Sequence, residues 1–236
     1  REYINESELL LVYDAIKELE RHKPIQYIIG KTFFYGMDFT VSPAVLIPRP
    51  ETEELVALIL KDNQNRTGLK ILDIGTGSGC LAVCLKKFLP DAAVTAVDIS
   101  KQALKIAREN AVNNGVDINF LLFDILEERR WHELTDYDII VSNPPYVLES
   151  EKALMKPNVL DYEPATALFV PDAAPLLYYE AIFGLAARQN KKTTICTEIN
   201  ENKASELLQM AHKYGIVDCF TVKDINNMYL FFFGKL

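Results

Sequence analysis

Seven residues, Asp73-Ile74-Gly75-Thr76-Gly77-Ser78-Gly79, restrict this chain more than any other stretch. They follow a short apolar run, Ile71-Leu72, and lead into a helix-like run from Cys80 to Phe88. Glycine at every second position lets a backbone turn tightly and approach a ligand that a Cβ would block. The same strand-then-helix alternation continues downstream. Ala93 to Val97 reads as a strand and Lys101 to Asn113 as a helix, and two further apolar runs follow, Ile118 to Phe123 and Ile139 to Val141. Later come a helix-like Ala173 to Arg188, a strand-like Thr193 to Thr197 and a helix-like Asn202 to Tyr214. This alternation predicts an α/β fold, a Rossmann-like, mostly parallel sheet with helices on both faces. Ile216 to Val222 and Met228 to Phe233 have no helix between them, so they predict an antiparallel C-terminal hairpin. That gives a seven-stranded sheet in all.

Upstream, apolar residues recur at helical spacing from Asn5 to Arg21, and Pro24 ends the pattern. Thr32 to Leu46 suggests a small hairpin around Gly36. Glu51 to Leu60 reads as a helix with acidic residues in its first turn. We place a boundary near Gly68, between a helical and hairpin N-terminal part (1–67) and the sheet domain (68–236). The chain opens at Arg1 rather than Met, as expected of a fragment lacking an N-terminal segment.

The formal net charge of -8 disfavours a nucleic-acid partner, because no run of Lys or Arg offers a basic face. No apolar run approaches the roughly 20 residues that span a bilayer, so no membrane association and a cytoplasmic location are expected. Cys80, Cys84, Cys196 and Cys219 show no zinc-ligand spacing, and they are expected to be buried, reduced thiols with no metal. His22, His132 and His212 do not cluster with candidate catalytic carboxylates and are read as surface or packing residues.

The glycine pattern differs from the G-x-G-x-x-G of a dinucleotide site. A pyrophosphate needs helix-terminal amides, and a carboxylate just ahead of the glycines would repel it. Asp73 suits instead the ammonium of a methionine moiety, directly or through water. Asp98 ends the second strand about 20 residues on, where a carboxylate accepts hydrogen bonds from ribose hydroxyls. Asp124 ends the third and is placed to accept from an adenine amino group, with Ile125 packing on the ring. Any one of these Asp residues could be a plain helix cap. Together, in register with Gly75, Thr76, Gly77, Ser78 and Gly79, they predict an S-adenosylmethionine site.

Ser142-Asn143-Pro144-Pro145-Tyr146 follows the fourth strand. An amide or aromatic amine nitrogen has a delocalised lone pair and is a poor nucleophile. Its N–H groups must be held so that the lone pair faces the electrophile. The Asn143 side-chain oxygen can accept one hydrogen and the Pro144 carbonyl the other. Pro144 and Pro145 fix the backbone so that this carbonyl is preorganised, and Tyr146 offers a flat face to a planar group. The motif predicts methylation of a planar nitrogen and leaves open which one.

Two further stretches narrow the choice. Pro24-Ile25-Gln26-Tyr27-Ile28-Ile29-Gly30 precedes Leu46-Ile47-Pro48-Arg49-Pro50-Glu51-Thr52-Glu53, and Glu163-Pro164-Ala165-Thr166-Ala167-Leu168 follows the Asn143 motif. In this order the motifs resemble the HemK (PrmC) family of protein glutamine methyltransferases, from about His22 to Glu198. The resemblance implies an enzyme that methylates the glutamine in the Gly-Gly-Gln loop of class 1 peptide chain release factors. It implies cofactor contacts from Gly75 to Gly79, Asp98, Ile125 and Asn143, and a grip on the substrate amide from Asn143 to Tyr146. It also implies that Arg49 and Glu51 shape the pocket, although an Arg–Glu pair bracing the helix start explains them equally well. The family usually begins with a helical bundle that helps to dock the release factor, and only its last helix or two are expected in this chain. A monomer is the expected state. Phe169-Val170-Pro171-Asp172, Ile199-Asn200 and Asn227-Met228-Tyr229-Leu230 depart from the family pattern.

A ribosomal-protein glutamine methyltransferase and a base-amine enzyme acting on DNA or RNA remain as alternatives within the same chemistry. A silent S-adenosylmethionine-binding module has no need of Asn143 and Tyr146, and a nicotinamide dehydrogenase is disfavoured by the short glycine loop.

Overall fold

A computed structural model of the chain describes residues 5–236. The first helix, α1 (Glu6–Glu20), starts at a reciprocal cap. The Asn5 side chain accepts from the Glu8 N–H at 3.0 Å, and the Glu8 carboxylate accepts from the Asn5 N–H at 2.8 Å. A short helix, α2 (Ile25–Ile29), follows and ends at Gly30 with φ 76. The periodicity did not separate it from its surroundings, since five residues are too few to show a period. The predicted hairpin forms as β1 (Lys31–Phe34) and β2 (Met37–Thr40), antiparallel. Tyr35 and Gly36 both have positive φ, the turn whose twist matches that of the strands. Then comes α3 (Pro50–Asn63), which has Pro50 in its first turn.

The main sheet uses β3 (Lys70–Ile74), β4 (Ala93–Asp98), β5 (Asn119–Leu122), β6 (Ile139–Ser142), β9 (Thr194–Glu198), β10 (Val217–Lys223) and β11 (Tyr229–Lys235). Its order is β10-β11-β9-β6-β3-β4-β5. The run β9-β6-β3-β4-β5 is parallel, whereas β11 pairs antiparallel with both β9 and β10. The expected seven-stranded sheet and its C-terminal hairpin are therefore both present. Between β6 and α7 (Leu177–Ala186) lie the short α6 (Pro157–Leu160) and a two-residue parallel pair, β7 (Val147–Leu148) with β8 (Phe169–Val170). The helix expected from Ala173 begins only at Leu177, because Pro175 forces the residue before it out of helical geometry. Likewise α8 (Ala204–Lys213) starts later than expected, after a single turn of tighter helix at Glu201–Lys203.

Alternation along the strands divides the core into two halves. Ile71, Val94, Ile139, Val141, Cys196 and Phe231 face α3, α4 (Cys80–Phe88) and α5 (Lys101–Asn113). Leu72, Val97, Ile140, Ile195 and Phe232 face α7, α8 and Trp131. The first half continues without a break across Gly68, since Phe34 and Phe39 of the hairpin and Leu55, Val56 and Ile59 of α3 belong to it. Asn110 on α5 joins the parts with hydrogen bonds as well. It donates to the Thr40 carbonyl (2.9 Å) and the Ser78 carbonyl (2.8 Å), and it accepts from the Thr40 N–H (2.7 Å). The hairpin is thereby tied to the floor of the glycine loop. No helix among the described residues is long and apolar enough to cross a membrane.

Candidate active site

In an open α/β sheet, ligands bind beyond the carboxyl ends of the strands, where the order reverses. Here the reversal lies between β3 and β6. A cavity of about 350 Å³ opens there, within the range of about 300–1,000 Å³ usual for small-ligand sites. Its floor is the turn from Gly75 to Ser78. The Gly75 and Thr76 N–H groups both donate to the Val97 carbonyl, at 2.9 and 3.0 Å, and so pin the turn to β4. Gly79 has φ 83, and a Cβ there would come within 3.0 Å of the Ala107 Cβ on α5, so this position needs glycine for two independent reasons.

Asp98 lies on the cavity wall, oriented by two backbone donors. The Gly77 N–H donates to one carboxylate oxygen at 2.9 Å and the Ser100 N–H to the other at 2.8 Å. Burial raises its pKa, and these donors oppose that rise. Asp124 and Ile125 also line the cavity, together with Phe123, Leu126 and Tyr178. Asp124 accepts from the Leu126 N–H at 2.9 Å through one of its two carboxylate oxygens. Asn143, Pro144 and Pro145 form the opposite wall at the end of β6.

Other expected site residues fall elsewhere. Asp73 is fully buried and does not line the cavity. The alternation of β3 aims it at the α4 side, beneath the turn, where it accepts from the Thr76 hydroxyl at 2.6 Å. Its second oxygen has no partner, and burial pushes its carboxyl up to about 7, against the pull of the Thr76 bond. The Asp73 carboxylate thus holds the loop from beneath, through Thr76. Tyr146 also lies off the wall, packed on the core beside α7, although its own backbone carbonyl is fixed by the Asn200 amide at 3.2 Å. Arg49 lines the cavity but does not brace the start of α3 with Glu51. It pairs with Glu163 at 2.6 Å, and the Glu163 carboxylate also accepts from the Ile47 N–H. Glu51 stands outside the cavity wall, in the first turn of α3. None of the three histidines lines the cavity. Of the thiols, Cys84 and Cys196 are buried, while Cys80 and Cys219 are part-exposed, and Cys80 reaches the cavity.

Three residues not expected from the sequence complete the site. Thr52 lines the cavity, and its hydroxyl donates to Glu198 at the end of β9. The Asn143 side-chain NH2 lies 3.5 Å from the Thr52 oxygen. Glu163 anchors the Arg49 segment against the cavity. Both Thr52 and Glu163 stand inside stretches that already marked the chain as distinctive, but their partners lie 146 and 114 residues away and give no local signal.

The donor set fits an S-adenosylmethionine-type ligand: an apolar slot at Ile125 and Leu126 for a flat ring, carboxylates placed for hydroxyls and an amino group, and glycines where a side chain would intrude. Arg49, the one cation of the wall among the described residues, is engaged by Glu163, so the wall offers phosphates no free side-chain cation.

Residues 52–159 match the family model described as Methyltransferase small domain. A solved methyltransferase from Pyrococcus furiosus shares the fold with a TM-score of 0.60 at 18% identity, covering 99% of this chain and 98% of that one. Fold and site together define an S-adenosylmethionine-dependent methyltransferase. The release factor glutamine methyltransferase of Flavobacterium psychrophilum is 46% identical over 222 residues, which is 92% of this chain and 77% of that protein. Its counterpart in Bacteroides thetaiotaomicron is 46% identical over 213 residues, 90% of this chain and 76% of that protein. The chain belongs to the release factor glutamine methyltransferase family.

Proposed function

We propose that this chain transfers a methyl group from S-adenosylmethionine to the side-chain amide nitrogen of the glutamine in the Gly-Gly-Gln loop of class 1 release factors. The observation that carries this is the position of Asn143 and Pro144, on the wall of the cofactor cavity facing the glycine turn. The cofactor supplies an electrophilic methyl group, and the chain supplies placement. The Asn143 side-chain oxygen and the Pro144 carbonyl accept the two amide hydrogens, which turns the nitrogen lone pair toward the cavity. Asp98 accepts from the ribose hydroxyls, Asp124 from the adenine amino group, and Ile125 covers the ring. Asp73 acts through Thr76 to hold the turn of Gly75, Gly77, Ser78 and Gly79 in shape. Arg49, with Glu163 behind it, closes the cavity on the substrate side. Tyr146, next to Pro145 but packed on the core, offers the substrate amide its flat face only if it turns toward the cavity, while Glu51 shapes the first turn of α3 beside Thr52. A glutamine is preferred over a nucleobase because the net charge is -8 and the one wall cation among the described residues is already paired.

The test is transfer of labelled methyl to purified release factor, with a Gln-to-Ala change in its Gly-Gly-Gln loop as control. Label that disappears with the glutamine is the expected result. Label that persists without it, or cofactor binding with no transfer at all, would overturn the substrate assignment and point to ribosomal proteins or nucleic acid.

A further inference from the structure

A side-chain amide is two-faced. For Asn143 to accept from a substrate N–H, its oxygen must point into the cavity and its NH2 elsewhere; turned round, it would set donor against donor. The glycine turn does not decide between these orientations. Thr52 and Glu198 do. The Thr52 hydroxyl carries one hydrogen, and it donates that hydrogen to Glu198. Only lone pairs of the Thr52 oxygen then remain for Asn143, so the amide must present its NH2 there, at 3.5 Å. Its oxygen is left for the cavity. The chain of bonds ends at Glu198 because an ionised carboxylate accepts and never donates. Glu198 is 2% exposed and sits on the strand next to the one that carries Asn143.

We infer that Thr52 and Glu198 are positioning residues that set the orientation of the Asn143 amide, so that its oxygen faces the reacting nitrogen. This rests on the proposed role of Asn143 as an acceptor. The groups facing Glu198 are Glu51 and Thr52 of α3, Arg49 before it, Asn143 and Tyr146 after β6, and Cys80 of α4. Tyr179 of α7 donates to the Glu198 backbone carbonyl at 3.0 Å and leaves the carboxylate to Thr52 and the Asn143 NH2, each of which favours its ionised form. Burial pushes the Glu198 carboxyl up to about 7. The Thr52 bond opposes this, Glu51 adds to it, and Arg49 and Asn143 again oppose it. A protonated Glu198 has a hydrogen of its own to give. Thr52 is then free to donate toward Asn143, and the amide can turn round. Turnover should therefore fall as pH drops through about 7.

The experiment compares wild type with Thr52→Val, Thr52→Ser and Glu198→Gln. It reads kcat for methyl transfer to release factor from pH 6 to 8.5, S-adenosylhomocysteine affinity by calorimetry, and the Asn143 side-chain NH2 signals in nitrogen-15 NMR, identified by their loss in Asn143→Ala. Thr52→Val and Glu198→Gln should lower kcat by about tenfold or more, as expected for one misoriented hydrogen bond, and leave S-adenosylhomocysteine affinity within about twofold. Thr52→Ser, which keeps the hydroxyl, should restore most of the loss. The wild-type acid limb and the pH-dependent movement of the Asn143 signals should share a midpoint, and both should vanish in Glu198→Gln. A Thr52→Val enzyme with wild-type kcat, a Thr52→Ser enzyme as poor as Thr52→Val, or Asn143 signals blind to both variants would overturn the inference. Wild-type protein that shows the Asn143 titration but transfers nothing to release factor would sink the substrate assignment and leave the positioning role standing.

Discussion

The two walls of the cavity are built in opposite ways. The cofactor wall comes from short pieces in chain order, Gly75 to Gly79, Asp98 and then Asp124 with Ile125, each at the end of a neighbouring parallel strand. Its hydrogen bonds are mostly to backbone: Gly77 and Ser100 N–H to Asp98, and Leu126 N–H to Asp124. The substrate wall joins distant side chains, Arg49 to Glu163 and Asn143 to Thr52 to Glu198. A backbone-held wall is robust because main-chain donors survive any substitution except proline. A wall of buried side chains fails when a single partner is removed, since the remaining group is left desolvated and unpaired.

The widest separation between the walls should come from Asn143→Ala. Removing one positioned acceptor at the reacting group should lower kcat by about 10²–10³-fold and leave S-adenosylhomocysteine affinity largely intact. Single-turnover transfer and calorimetry on the same samples check this, and equal losses in both would erase the division. Glu163→Ala comes next. It leaves Arg49, one-third exposed, without its buried partner, so a cost somewhat under the roughly 3 kcal/mol at the low end for broken buried pairs is expected in urea unfolding. A change within 0.5 kcal/mol, about that of an ordinary surface substitution, would mean the Arg49 segment does not depend on the pair. Asp98→Ala should sharpen the comparison from the other side. Loss of charge-assisted hydrogen bonds should weaken S-adenosylhomocysteine binding by about 1.5–3 kcal/mol, roughly 10- to 150-fold, with a smaller effect on single-turnover rate at saturating cofactor. Unchanged affinity would remove Asp98 from the cofactor wall.

The smallest effect is on stability against pH. Asp73 and Glu198 are carboxylates whose folded values, about 7, stand above the ordinary range near 4. The folded state holds these protons more tightly than the unfolded one. Their contribution is therefore greatest at low pH and is lost as pH rises through about 7. The melting temperature should be higher near pH 6 than near pH 8, and Glu198→Gln should flatten that slope. A wild-type curve that rises across the same interval would show that other groups dominate. For Glu198 the two demands conflict: the form that favours folding is the form that releases Thr52.

What the sequence disclosed follows the same division. The Asp73 to Gly79 turn, the strand ends at Asp98 and Asp124, and the Asn143 to Tyr146 motif were all legible because each is a local pattern with a geometric requirement. The C-terminal hairpin was legible from a missing helix. The Arg49–Glu163 and Thr52–Glu198 contacts were not, because threonine and glutamate carry no distinguishing pattern and their meeting depends on how α3 lies across β9. The place of Asp73 before the glycines suggests a ligand contact, direct or through water, and strand alternation sets its side chain under the loop, on Thr76, which the local pattern does not show. Apolar periodicity alone starts α7 at Ala173, whereas Pro175 disfavours helical geometry at the residue before it and the helix begins at Leu177.

The order of the sheet leaves β5 and β10 as its two outer strands. A long flat outer strand invites pairing with another molecule. Here β5 has only four residues. Its counterpart β10 is longer, but its pairing with β11 shifts register twice, between Val217 and Phe220 and between Val222 and Lys223, and Asp218 holds a left-handed conformation. Lys223 closes the strand with a charge. A recruit would find no straight row of free amides on either side, so the two register shifts of β10 should keep a sheet with Phe231, Phe232 and Phe233 next to its margin from growing into aggregates.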